Sequence, residues 1–361
     1  MPACWRNCGP LRPDPSQQIT MSSRIPLMPS VVALAILLVI VCLASIAMGV
    51  VKVPIGQGLL SIVDRLSGSS TSDLSDYQQA IIVELRLPRT LLAVLVGVML
   101  AQCGAVMQGL FRNPLADPGI IGVSSGAAVG AVLAIYFSPA GETWWTVPMA
   151  AFLAGLICTL LIYQLARGPL GTSVLVLLLA GIAVSALAGS IIGLITYVAD
   201  DTRLRDLTLW QMGSFAAADG TRVWLALIVA VMLFIRFQHC AAPLNALLLG
   251  EAEAQHLGID VERQKKELII LVALGVGLSV ACAGIIGFVG LVVPHIVRSI
   301  AGPDHRSLLP LAALGGGILM LGADVASRLL IQPAELPVGL LTALLGAPFF
   351  ILLLLDLKKR L

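Results

Sequence analysis

A few side chains in this sequence have types that could ligate a metal or move a proton, and each has a plainer reading beside it. His295 follows Pro294 in an apolar run, and imidazole is a common axial ligand of haem iron. The same residue also reads as a polar group near a helix end, satisfied by backbone or a neighbour. His256 and His305 fall in short polar connections and read as solvated loop residues. Cys4 and Cys8 are spaced like two metal ligands, but a structural zinc takes about four and no second pair lies nearby. The other cysteines are scattered, several of them inside apolar runs, where a thiol behaves as a small hydrophobe. Asp324 is the one carboxylate deep in an apolar run. Arg328 follows four residues later, the spacing at which an acid and a base meet on one helix face. These residues give no catalytic set and no metal site. A P-loop requires Gly-Lys, and none of the five lysines follows a glycine, so the chain cannot bind ATP by that route.

The elements that carry these residues are set by an apolar composition. Hydrophobic residues make up 58% of the chain and charged residues 12%, against about 25% charged in a soluble domain. Mean hydropathy is +0.98. Aromatics are 5% while glycine numbers 35, which suits helices packed closely in lipid rather than a barrel with aromatic girdles. A net charge of +2 without a basic stripe gives no footprint for nucleic acid.

About 20 apolar residues cross the hydrocarbon as a helix, and ten such runs can be marked: 30–50, 90–110, 118–137, 147–165, 173–198, 223–237, 268–283, 285–300, 308–327 and 338–355. The junction at Gly284 is the least sharply marked. The fold class is therefore an all-α integral membrane protein of about ten transmembrane helices. Residues 1–29 form an N-terminal extension, in which Met21 reads as an alternative start that would leave 1–20 without a structural role. Residues 30–361 form one transmembrane domain, and its first span reads as a retained helix rather than a cleaved signal.

Cytoplasmic loops carry the excess of basic residues. With the N-terminus inside, Arg24, Arg112, Arg167, Arg263, Lys265, Lys266, Arg298, Arg306 and the tail Lys358, Lys359 and Arg360 are cytoplasmic, as are both termini. Arg86, Arg89, Arg203, Arg205 and Arg328 fall on the other side. Two sets of five spans would have inverted orientations, although no strong residue-level repeat is visible.

Small residues let helix backbones approach in lipid. Gly122, Gly126 and Gly130 form one stripe at four-residue spacing, and Gly181, Ser185, Gly189 and Gly193 form another. Either stripe reads as static packing or as the smooth wall of a pathway. Between the sixth and seventh spans, residues 249–266 read as a short amphiphilic helix broken at Gly250 and Gly258, a docking surface for a cytoplasmic partner.

Four blocks resemble the permease family of ABC importers for iron-siderophores, cobalamin and haem, the FecCD type: 85–90, 104–119, 287–298, and 334–339 with 346–348. The resemblance covers Val31 to Leu355 and implies the type II ABC importer permease fold, a homodimer with its pathway on the two-fold axis, in the bacterial inner membrane. It implies two cytoplasmic ATPase subunits that bind the ATP and Mg this chain lacks. They would dock on a coupling loop, about 240–267, through Gly250, Glu251, Ala252, Glu253, Ala254, His256, Leu257 and Gly258. Arg86, Arg89 and Arg328 match the family's outer arginines, which would meet carboxylates of a periplasmic binding protein; anchoring to lipid headgroups is the alternative. Thr172 and Ser173 match the cytoplasmic gate, and an N-cap is an equal reading for them.

Residues 200–214 and 244–259 look most like the haem branch, with a ferric siderophore or cobalamin as alternatives. An ion-coupled secondary transporter would instead need midplane carboxylates or broken helices, and a membrane anchor or receptor would need no docking loop.

Overall fold

The computed structural model describes residues 26–49, 51, 53–68, 71–138, 143–168 and 171–360. The extension with Cys4, Cys8, Met21 and Arg24 lies outside them. In chain order the helices are α1 (Leu27–Ala47), α2 (Ile55–Ser67), α3 (Asp76–Ala80), a π-helical turn (Ile81–Arg86), α4 (Leu87–Leu110), a 3-10 turn (Pro118–Ile121), α5 (Val123–Phe137) and α6 (Thr143–Ala166). A two-residue hairpin follows, β1 (Arg167–Gly168) paired antiparallel with β2 (Gly171–Thr172). Then come α7 (Val174–Val198), α8 (Asp201–Gln211), α9 (Gly220–His239), α10 (Ala241–Leu249), α11 (Glu251–His256), α12 (Val261–Ala283), α13 (Val289–Ala301), α14 (His305–Leu329) and α15 (Val338–Arg360).

Eight described helices are long and apolar enough to cross a membrane, and α5 and α13 are shorter apolar helices. The ten expected spans are all present, with shifted boundaries; the seventh, for one, begins at Val261 rather than 268. The second span does not begin at Thr90: one continuous helical stretch runs from Asp76 to Leu110, including the π turn. The third begins at Val123, because Asp117 caps the 3-10 turn and Gly122 adopts a left-handed φ of 80°. The eighth begins at Val289. Gly284 and Phe288, with φ of 73° and 67°, bound the non-helical stretch before it. The short third and eighth helices, each entered through an irregular segment, occupy the same place in each set of five.

Helix α4 is the hub, packing on α14, α13, α9 and α12, and most of its residues are buried. Its glycines permit this. A Cβ on Gly97 would collide with the Gly316 carbonyl of α14, and one on Gly104 with the Gly290 carbonyl of α13. Gly126 and Gly130 likewise face Ala154 and Ala150 of α6, so the first small-residue stripe is a packing seam.

The second stripe divides. Gly181 abuts the Ile120 carbonyl and Ser185 Oγ lies 2.8 Å from Ser125 Oγ. Gly189 and Gly193 face open space.

Because overpacking at backbone contact has nowhere to relax, Gly104→Ala is expected to destabilise the detergent-solubilised protein by about 2 kcal/mol. Gly322→Ala, whose Cβ meets nothing within 4 Å, is expected to be neutral or stabilising by up to about 1 kcal/mol. Thermal unfolding of the two variants checks the contrast.

Candidate functional site

Charged groups collect at two opposite ends of the bundle, here called upper and lower. The upper end holds the N-terminus of α4 and the C-terminus of α14. Asp324 is fully buried there and receives two arginines: Arg89 Nε at 2.8 Å and Arg328 Nε at 3.1 Å. Arg89 also reaches Glu335 at 2.7 Å.

Arg328 goes on to donate to the Ser45 carbonyl at 3.3 Å, the Met48 carbonyl at 3.0 Å and the Ser45 hydroxyl at 2.8 Å. Arg86 donates to the carbonyls of Ile46 at 2.7 Å, Ala47 at 3.3 Å and Val51. Both guanidiniums thus satisfy carbonyls that the end of α1 leaves open. The expected Asp324–Arg328 pair is present, but as part of a larger cluster. Arg86, Arg89 and Arg328, the three arginines expected to meet a binding protein, line one cavity of about 510 Å³ with Tyr77, Leu85 and Glu335. Arg86 and Arg328 are buried, and each of the three already has partners within the chain.

The lower end is built from α10 to α12, the β1–β2 hairpin and the start of α14. Gly250 (φ 135°) and Gly258 (φ 82°) isolate α11 from its neighbours, as the glycine breaks suggested. On α11, Ala254 is buried and packs inward, while Ala252, Glu253 and His256 are exposed, as is the capping Leu257 at 64%.

Asn245 of α10 fixes the base of this segment, donating to Asp304 at 2.7 Å and accepting from the His305 backbone N–H at 2.9 Å. His305 is therefore not a solvated loop residue. It is fully buried, with Nδ1 2.8 Å from Asn245 Oδ1. Burial alone would push the Asp304 carboxyl up, but the Arg306 N–H and the Asn245 amide outweigh it and hold the group below its ordinary value. His256 is exposed, as expected. His295 stacks edge-on to Phe349 at 6.0 Å, and its Nδ1 has no hydrogen-bond partner among the described residues, so the expected local satisfaction is missing.

Thr172 and Ser173 sit where α7 begins. Ser173 is exposed and its hydroxyl accepts the Val176 N–H at 3.4 Å, the N-cap reading. Thr172 is buried. Its N–H donates to Glu262 Oε1 at 3.0 Å and its hydroxyl to Glu262 Oε2 at 2.7 Å. Gly171 makes room for this carboxylate, since a Cβ there would lie 2.7 Å from Glu262 Oε1.

Lys265, which sequence reasoning placed only among the basic loop residues, is 3% exposed. It donates to Glu251 Oε2 at 2.8 Å, to Glu262 Oε1 at 3.3 Å and to the Thr172 carbonyl at 3.2 Å. The signal was present in the sequence: Lys265 shares a helical stripe with Val261, Leu268, Ile269 and Val272, all buried.

This arrangement offers a solvent-facing helix at one end, a closed arginine cluster at the other, and helical walls between them. Residues 37–356 match the FecCD transport family over most of the chain. The chain belongs to that family. It is a multi-pass membrane protein of the ABC importer permease type.

Among its relatives, the hemin transport system permease protein HmuU of Yersinia pestis is 46% identical over 337 residues, covering 91% of this chain and 95% of the relative. The vitamin B12 import system permease protein BtuC of Klebsiella pneumoniae is 42% identical over 288 residues, covering 80% and 86%. A solved structure of a metal-chelate type ABC transporter in an inward-facing conformation superposes with a TM-score of 0.80 at 34% identity, covering 91% of this chain and 99% of that one.

Removing one partner from a buried ion pair strands the other charges. Asp324→Asn is expected to cost about 3 kcal/mol of stability, whereas Glu335→Gln, whose side chain is 44% exposed, is expected to cost under about 1 kcal/mol. Thermal unfolding in detergent separates the two.

Proposed function

We propose that this chain is the permease subunit of an ATP-driven importer for haem, working as a homodimer in the bacterial inner membrane. The observation that carries the proposal is the 46% identity to a hemin permease across nearly the whole of both chains. The lower end faces the cytoplasm, as do both termini, in keeping with the excess of basic residues there.

Two ATPase subunits dock on α11 through Glu253, His256 and Leu257, and they bind the ATP and Mg. A periplasmic binding protein docks at the upper end, where a partner carboxylate entering the arginine cavity competes with Glu335 for Arg89. The open face of α7, with Gly189 and Gly193, meets its symmetry mate across the pathway, and the start of α7 at Thr172 and Ser173 forms the cytoplasmic gate. Small residues on this wall would let a flat apolar macrocycle pass with weak contacts.

Haem and cobalamin are both metal-bearing macrocycles, and the 42% identity to a vitamin B12 permease makes cobalamin the second reading. Proteoliposomes holding the chain with its cognate ATPase and binding protein decide between them. ATP-dependent uptake of haemin, with neither cyanocobalamin nor a ferric siderophore transported, is the expected result. Uptake of cyanocobalamin or the siderophore instead would move the substrate within the family. Uptake driven by an ion gradient without ATP would overturn the mechanism.

A further inference from the structure

The buried lysine of the lower end bonds to all three segments that meet there. Glu251 opens α11, Glu262 and Lys265 lie one turn apart on α12, and Thr172 is the last residue of the hairpin before α7. The Lys265 ammonium has three donors, and three acceptors surround it: Glu251, Glu262 and the Thr172 carbonyl. Glu262 then spends both carboxylate oxygens on the N–H and hydroxyl of Thr172. A charge this deep persists only when fully paired, so Lys265 cannot let go of one partner without a replacement. Segment α11 has glycine hinges at both ends and an exposed outer face, which makes it the part free to shift.

We propose that Lys265 is a positioning residue that transmits displacement of α11 to Thr172 and hence to the start of α7, through Glu251 on one side and Glu262 on the other. The inference rests on the reading of α11 as the ATPase docking segment. In the arrangement seen here the relay holds the Thr172 hydroxyl buried against Glu262. A shift of α11 that drags Glu251 changes which acceptors Lys265 retains, and the Thr172 segment follows the change.

The test uses the full complex of the chain with its cognate ATPase and binding protein in proteoliposomes, with haemin as probe, and reads ATPase co-purification, ATP hydrolysis and uptake separately. Lys265→Met keeps the aliphatic stem and removes the charge. Co-purification as in the parent chain, hydrolysis within about twofold, and haemin uptake per ATP reduced about tenfold are expected. Lys265→Arg, which preserves the charge, is expected to bring the ratio back to within about threefold of the parent.

Glu251→Gln, on a side chain 41% exposed, guards against misfolding of the buried variant and is expected to reduce the ratio about threefold. An unchanged ratio in both Lys265→Met and Glu251→Gln overturns the relay. Should Lys265→Met fail to assemble, an unchanged ratio in Glu251→Gln overturns it alone. Undiminished co-purification of the ATPase with a chain altered on the exposed face, Glu253→Arg with Leu257→Ala, overturns the docking reading of α11, and the relay falls with it; docking lost in that variant with unchanged ratios in Lys265→Met and Glu251→Gln removes the relay only.

Discussion

Backbone contact between α4 and the helices around it is the constraint on which the rest of this structure depends. Lipid offers helices no hydrophobic reason to associate, so van der Waals contact over small residues must hold them. Gly97 against Gly316 and Gly104 against Gly290 bring α4 to carbonyl distance from α14 and α13. Helix α14 in turn carries Asp324 at its upper end and His305 at its lower end, and α4 carries Arg89 and Gly109 opposite them. Because these backbones cannot separate without losing the contact, the polar clusters at the two ends are held at a fixed distance by the same seam.

The two ends use charge differently. At the upper end, Arg86 and Arg328 close the open carbonyls of α1, and Asp324 is shared by Arg89 and Arg328, which makes a saturated network in which only Glu335 is substantially exposed. At the lower end the network runs between segments that differ in exposure. The hairpin and α12 are buried at Thr172 and Lys265, while α11 is exposed and hinged. A saturated network rigidifies; one that spans a hinge couples.

Most of the fold was legible in the sequence, because hydrocarbon thickness fixes helix length and composition marks each run. What was not legible follows from local geometry. The breaks before Val123 and Val289 arise at left-handed Gly122 and Phe288, and a left-handed phenylalanine leaves no trace in an apolar window. The extension of α4 back to Asp76 runs through polar residues that a hydropathy reading assigns to a loop. The candidate site was legible in part. The glycine breaks around α11 were read from their spacing, and the Asp324–Arg328 pair from its interval of four. His305 was misread because a polar connection in sequence is not always exposed in space, and Lys265 was passed over because it was counted only among the basic residues of a cytoplasmic loop. The other internal partners of Arg86, Arg89 and Arg328 come from segments up to 283 residues away, beyond any local pattern.

The central claim is that the two charged ends of this bundle face opposite sides of the membrane, with α11 in the cytoplasm. It is tested most directly by labelling single cysteines with a membrane-impermeant maleimide, Glu253→Cys for α11 and Arg205→Cys for α8, in a background with the native cysteines replaced. The account predicts that Glu253→Cys reacts only in inside-out vesicles and Arg205→Cys only in right-side-out cells. Labelling of both positions from the same side, or of Glu253→Cys from outside, would contradict it.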